Sequence, residues 1–179
     1  TLKVSAGLGV IPRVVADQRP IYNHRLSIDD AIERLQGFYF PYHDKLRSLI
    51  KQTEASFKKV ILLDCHSMPL SSVNLASKKD PVEVVLGDCF GRSCEHEIIV
   101  ELKTLLTEVG FKVSINNPFA GGFITKHYAS PQNNINVVQI EILRSLYSHE
   151  KQQIKNGEFT KIQRRLIDVI EEFIKRFAY

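Results

Sequence analysis

The sequence predicts an α/β domain with a mixed, mostly parallel sheet and helices on both faces, and three observations predict it. Apolar runs of strand length, such as Val60-Ile61-Leu62-Leu63, are interleaved with segments of helical periodicity. Within these runs polar and apolar residues do not alternate, which is the pattern of strands covered on both sides. Finally, 44% of the 179 residues are hydrophobic, enough for the core of one domain spanning residues 1–179.

The elements follow in order. The first 26 residues, rich in Gly, Pro and Arg, read as a long loop with at most one short strand. Ser27 offers an N-cap oxygen, Asp29 and Asp30 suit the positive helix start, and Ile28, Ile32, Leu35, Tyr39, Tyr42, Leu46 and Leu49 recur at helical spacing. One helix over 27–56 is expected, bent near Pro41, whose ring removes a hydrogen bond. Strands are expected at 60–63 and 82–86. Ser93 should cap a second helix carrying Ile99, Leu102, Leu106 and Val109, with Gly110 as its stop. Further strands at 111–115 and 136–142 precede a last helix at 160–177, whose apolar face is Ile162, Leu166, Val169, Ile170, Phe173 and Phe177.

Charge excludes several classes. Lys plus Arg number 24 against 20 Asp plus Glu, a net of +4 spread along the chain, which favours anionic small molecules without forming a nucleic-acid stripe. Charge-free runs such as 4–12 and 113–125 contain Gly or Pro and fall short of the ~20 apolar residues of a bilayer span. No membrane segment or secretory signal is read. Cys65, Cys89 and Cys94 form no Cys-x-x-Cys pair, which suits a reducing, cytoplasmic compartment. The chain opens on Thr1 and its one methionine is Met68, so the expectation is a processed product or part of a longer protein.

Ligands of open α/β folds gather at the carboxyl ends of strands, which directs attention to Asp64-Cys65-His66-Ser67-Met68-Pro69 after the strongest strand run. There the imidazole of His66 is either an ordinary hydrogen-bonded side chain or a metal ligand, and Asp64 can orient a neighbour. Cys65 and His66 do not make a nucleophile and base if the strand continues, because adjacent strand residues point to opposite faces. Glu141 interrupts the apolar run 137–143; it is a buried partner for an Arg or a general base, and spacing leaves both open. Between them, Gly121-Gly122 permits a tight loop near a ligand, with Thr125 and His127 as polar contacts. That segment lacks the glycine spacing of nucleotide sites.

Six ordered motifs together resemble the N-formylglutamate amidohydrolase family. They are 6–13 (Ala6 to Arg13), Pro41-Tyr42-His43, 63–69, Val85-Leu86-Gly87-Asp88 with Phe90-Gly91 and Ser93-Cys94, 117–122 with Thr125 and His127-Tyr128, and 139–142 with Arg144, Leu146-Tyr147 and Glu150. The family is similar to zinc carboxypeptidases and to aspartoacylase, so the resemblance implies a zinc-carboxypeptidase-like (phosphorylase/hydrolase-like) fold. It implies His66 as a ligand of catalytic Zn²⁺, Glu141 as the general base, and Arg144, His127, Arg13 and Thr125 as contacts to substrate. The implied reaction releases formate and glutamate from N-formyl-L-glutamate, or hydrolyses a similar small anionic N-acyl amino acid, within histidine degradation.

The resemblance also implies that the remaining zinc ligands precede Thr1, making this chain the C-terminal part of the family domain. His24 and His43 remain, but His43 sits in a helical motif where packing or a supporting hydrogen bond suits it equally. Cys89 stands where the family usually has Arg, and Leu143 where it usually has Asn. A non-catalytic domain binding an acidic metabolite or a partner chain is the alternative, with an N-terminal fragment or a second copy of the chain as candidate partners.

Overall fold

The structure, a computed structural model, describes residues 2–5, 7–15, 18–73 and 81–177. Thr1 and Ala6, both used above, lie outside the described residues. The chain divides into two compact units, Thr1–Gln52 and Thr53–Tyr179, each described by itself.

The first unit begins with a short helix, α1 (Leu2–Ser5), where only loop or strand was expected. The described strand pairing in this segment is one isolated bridge between Val14 and Pro20. Helix α2 (Ile28–Arg34) starts as expected: Ser27 Oγ accepts from the Asp30 N–H at 3.0 Å, and the Asp30 carboxylate accepts from the Ser27 N–H at 3.2 Å. The Ser27 hydroxyl, which donates to that carboxylate at 2.7 Å, and then the Ser27 N–H hold the Asp30 carboxyl below its usual range.

The expected bend near Pro41 takes a particular form. Leu35–Tyr39 is a π-helical stretch, in which the Phe40 N–H donates to the Leu35 carbonyl, and it leads into α3 (Phe40–Phe57). Pro41 has no N–H to give the Gly37 carbonyl, and its ring crowds that oxygen. Widening the preceding turn relieves the crowding and keeps the helical path continuous.

The second unit contains a four-stranded sheet, among the described residues, in the order β1-β4-β2-β3. The strands are β1 (Val60–Met68), β2 (Val84–Gly87), β3 (Val113–Ile115) and β4 (Ile135–Leu143). β1 runs parallel to β4 and β2 to β3, while β2 and β4 are antiparallel, so the sheet is mixed and mostly parallel as expected.

Two boundaries moved. β1 continues five residues past Leu63, to Met68, so Asp64, Cys65, His66 and Ser67 lie within the strand rather than after it. The helix expected from Ser93 begins at His96 as α4 (His96–Glu108), because the Ser93 hydroxyl instead donates to the Val137 carbonyl at 2.9 Å. The buried Asn136 side chain reaches from β4 to accept from the Glu95 N–H at 2.8 Å, supplying the cap from another element. Gly110, at φ +88°, ends that helix as expected.

Helix α4 and the last helix, α6 (Phe159–Phe177), cover one face of the sheet. Ile98, Ile99, Leu102 and Leu106 of α4 and Ile162, Val169 and Phe173 of α6 pack there with Val84, Leu86, Val138 and Ile140. Arg176 pairs with Glu101 and with Glu172, tying the two helices at their exposed edges. A smaller cluster of Met68, Val73, Val85 and Leu143 marks the opposite face. A short helix not expected from the sequence, α5 (Phe123–Tyr128), and a hairpin of β5 (Ser148–His149) with β6 (Ile154–Lys155) complete the unit.

Candidate active site

Strand periodicity sorts the residues of β1 and β4 into two faces. Ile61 and Leu63 of β1 and Val138 and Ile140 of β4 join the core under α4 and α6. Asp64, His66, Gln139 and Glu141 therefore project from the other face. Register completes the grouping: Asp64 pairs with Gln139, and His66 with Glu141.

Within this square the contacts run along each strand. His66 Nε2 lies 3.0 Å from Asp64 Oδ1. Gln139 Nε2 donates to Glu141 Oε1 at 3.1 Å. His66 keeps 47% of its side chain exposed, whereas Glu141 is only 9% exposed. Burial pushes the Glu141 carboxyl above its ordinary range, His66 and Arg144 pull it back, and Asp64 pushes it up. A half-open imidazole beside a buried carboxyl of raised pKa is an arrangement that can move protons.

Arg144 leaves β4 three residues after Glu141 and turns towards β1. Its Nη2 donates to the Ser67 carbonyl at 3.1 Å and to the Ser67 hydroxyl at 3.3 Å, and its Nε reaches that hydroxyl at 3.4 Å. Arg144 also borders a cavity of about 340 Å³ with Tyr147, Ser148 and Glu150.

The Gly-rich segment is pressed against the sheet. A Cβ added to Gly87 would stand 2.8 Å from the Ala120 carbonyl carbon, so the turn approaches the end of β2 as closely as backbone permits. Thr125 is fully buried on α5, and its hydroxyl accepts from the Gly122 N–H at 3.2 Å, capping the helix start. His127, two positions on, is exposed and stacks on Phe123 with ring centroids 4.7 Å apart.

His24 and His43, the two other histidines weighed above, and Arg13 belong to the first unit. His43 is buried between the rings of Tyr39 and Tyr42, the packing role its motif allowed, and His24 is exposed. Arg13 lines a concave surface of that unit together with Tyr22, His24 and Arg25. Asp64 was legible in the sequence as an orienting group, but Gln139 was missed. Its signal is a polar side chain two residues before Glu141, hence on the same strand face.

A catalytic zinc generally takes three protein ligands, yet among the described residues no group of three or more His, Cys, Asp or Glu side chains is arranged to hold a metal. One oxygen of Asp64, Oδ2, is buried without a hydrogen-bond partner, and the imidazole beside it is held by Oδ1. The described residues by themselves do not fit a complete zinc site.

Fold and site together define a mixed α/β domain whose acidic and imidazole groups share one face at the centre of two parallel strands. Residues 1–148 match the family model of N-formylglutamate amidohydrolase, and the chain belongs to that family. An N-formylglutamate deformylase of Pseudomonas putida is 30% identical over 152 residues, covering 83% of this chain and 57% of the relative. One from Pseudomonas aeruginosa is 27% identical over 150 residues, covering 82% and 56%. The crystal structure of N-formylglutamate amidohydrolase from Ralstonia eutropha superposes with a TM-score of 0.87 at 30% identity, over 98% of this chain and 65% of that one. A gene product of Agrobacterium tumefaciens shares the fold, with a TM-score of 0.66 at 20% identity over 93% of this chain and 61% of that one. This chain thus spans a little over half the length of the curated relatives it matches.

Proposed function

We propose that the protein to which this chain belongs hydrolyses N-formyl-L-glutamate, or a similar small N-acyl amino acid, to the free acid and amine. Family membership and the names of the Pseudomonas relatives support the substrate. The observation that carries the residue roles is the register pairing of His66 with Glu141 on one sheet face.

In this reading Glu141 is the general base. Its carboxylate accepts a proton as the oxygen of a water molecule attacks the formyl carbon. The same proton then passes to the amide nitrogen as the C–N bond breaks, so formate and glutamate leave in balance. Burial favours this duty, because raising the carboxyl's pKa makes its carboxylate a stronger proton acceptor. Gln139 keeps Oε1 oriented, and the Ser67 contacts hold Arg144 at the end of β4. Arg144, His127 and Thr125 are proposed as contacts to the substrate, the first two through N–H donors suited to its carboxylates, and Arg13 is proposed as a substrate contact on its family motif alone.

Zinc stays within the proposal. His66 would supply one imidazole ligand, Asp64 would orient it, and the other ligands would come from sequence outside this chain. When bound, such an ion supplies Lewis-acid activation of water and carbonyl. No helix among the described residues is long and apolar enough to cross a membrane, and a cytoplasmic location is part of the same proposal.

The test uses the longer protein, including the sequence before Thr1. Formate release from N-formyl-L-glutamate should be lost in Glu141→Gln, and full activity in that variant would overturn the assignment. The incomplete donor set favours a second reading, a non-catalytic domain that binds an acidic metabolite or a partner chain. Metal analysis separates the two: stoichiometric zinc in the longer protein supports the hydrolase, and none supports the binding domain.

A further inference from the structure

The turn Ala120-Gly121-Gly122 lies on the sheet face that carries Glu141, and the missing side chains of three glycines let it lie there. Gly87 pairs with Gln139 and Val85 with Glu141 across β2 and β4, and paired residues share a face, so Gly87 leaves a gap beside Gln139. The turn fills that gap: a Cβ on Gly87 would stand 2.9 Å from the Gly121 nitrogen. The Cys89 N–H donates to the Ala120 carbonyl at 2.7 Å and fastens the turn from the end of β2.

The two glycines of the turn are glycine for different reasons. Gly121 has φ +132°, a backbone that L side chains rarely adopt, and a Cβ there would strike Cys89 Sγ at 2.7 Å. Gly122 has φ −96° and ψ −153°, extended backbone open to residues with a side chain. What demands a glycine at 122 is therefore its surroundings, since an added Cβ would lie 3.1 Å from Gln139 Oε1.

Gln139 is buried, and the two ends of its amide face different neighbours. Oε1 abuts Gly122, while Nε2 donates to Glu141 Oε1 at 3.1 Å. An ionised carboxylate only accepts, so the amide turns its nitrogen to Glu141 and its oxygen to the turn. The amide is a rigid plane, and whatever moves its oxygen also moves its nitrogen. Backbone seated on Gly87 yields little in a packed interior, so the space left for the amide is fixed.

We infer that Gly122 is a positioning residue of the site. By carrying no side chain it lets the Gln139 amide reach its place, where the nitrogen holds Glu141 Oε1 and leaves Oε2 to take and return the reacting proton. This role rests on the reading of Glu141 as the general base. Gly122 itself touches no reacting atom and acts through Gln139.

Steady-state kinetics of the longer protein test it. Gly122→Ala should lower kcat about tenfold or more while KM changes by less than about twofold, because the base is displaced and the substrate contacts are not. Gly157→Ala, whose added carbon meets nothing within 4 Å, should match the parent. The effect must run through Gln139: in a Gln139→Ala background, which removes the atom the new methyl meets, Gly122→Ala should cost less than about twofold further. If Gly122→Ala alone does not fold, the same double variant should fold and match Gln139→Ala. The NMR signal of the Gln139 side-chain amide gives a readout independent of turnover, and it should shift in Gly122→Ala but not in Gly157→Ala. An unmoved signal, an unchanged kcat, a loss confined to KM, or an additive loss or failure to fold in the double variant would overturn the inference. Full activity in Glu141→Gln would instead sink the general-base reading, and it is told apart because the Gln139 signal would still respond to Gly122→Ala.

Discussion

His66 and Glu141 occupy paired register positions on two parallel strands, β1 and β4, and share the sheet face turned away from α4 and α6. Residues far apart in the chain thereby become direct neighbours, and the strand period places Asp64 and Gln139 beside them. The grouping follows from register alone, since a slip of one residue would turn Glu141 into the apolar core.

Glu141→Gln should stabilise the protein at neutral pH by about 0.5–2 kcal/mol, as relieving strain at a functional site commonly does. The sign follows from linkage. A carboxyl whose folded pKa lies above its unfolded value, here raised by burial from an ordinary 4.5, favours the folded state while protonated. That contribution is complete below the unfolded pKa and is lost as pH rises through the folded one. The substitution keeps an oxygen for Gln139 to donate to but carries no charge to bury. Chemical denaturation at pH 7 and at low pH checks it: the gain should appear at pH 7 and vanish in acid.

Thiol titration should find one accessible cysteine in the native chain and three after denaturation. Cys65 is exposed, while Cys89 and Cys94 are buried. Although accessible, Cys65 should react slowly, because partial desolvation of its sulfur and then the Asp64 charge hold its pKa up. Burial, then Asp88 and Glu95, push the Cys94 thiol up to about 12. Fast labelling of two or more thiols under native conditions would contradict this arrangement.

Gly87→Ala should destabilise the chain by about 1–3 kcal/mol, the usual range for forcing an extra methyl into packed surroundings. The added carbon would meet the backbone of Ala120 and Gly121 at 2.8 and 2.9 Å, and backbone yields less readily than a side chain. Gly91→Ala is a useful comparison because nothing lies within 4 Å of its added carbon, although its φ of +77° adds strain of a different origin. A thermal shift for Gly87→Ala within error of the parent would show that the turn does not rest on β2.

Arg144→Lys should lower kcat/KM of the longer protein by about tenfold or more, because an ammonium cannot reproduce a planar fork. The guanidinium reaches both the carbonyl and the hydroxyl of Ser67. Ser67→Ala removes only the hydroxyl contact and should cost less. Steady-state kinetics of the two variants measure the difference, and equal losses would mean that the hydroxyl alone positions Arg144.

Much of this was legible before any coordinates. Apolar runs identified every strand of the main sheet, and the Ser27 cap and the Gly110 stop were read from residue type alone. Ser93 shows the limit of such reading. Its hydroxyl suits a helix start, yet in the folded chain it bonds Val137 while Asn136 of β4 reaches the Glu95 N–H. The choice between two adequate acceptors for the helix start was made by a strand about forty residues away, which local propensity does not see.

Strand length was misjudged for a related reason. Asp64 and His66 look like the polar end of a strand, but both sit inside β1, where alternation points them off the core face. By itself the sequence determined the alternation of helix and strand, the residues able to do chemistry, and the family their order resembles. Only the tertiary structure decided that His66 stands beside Glu141, that Thr125 caps a helix, and that Arg13 lines a basic cavity of the first unit. Residue type and period act along the chain, whereas strand register and the filling of a cavity are settled by contacts between segments distant in sequence.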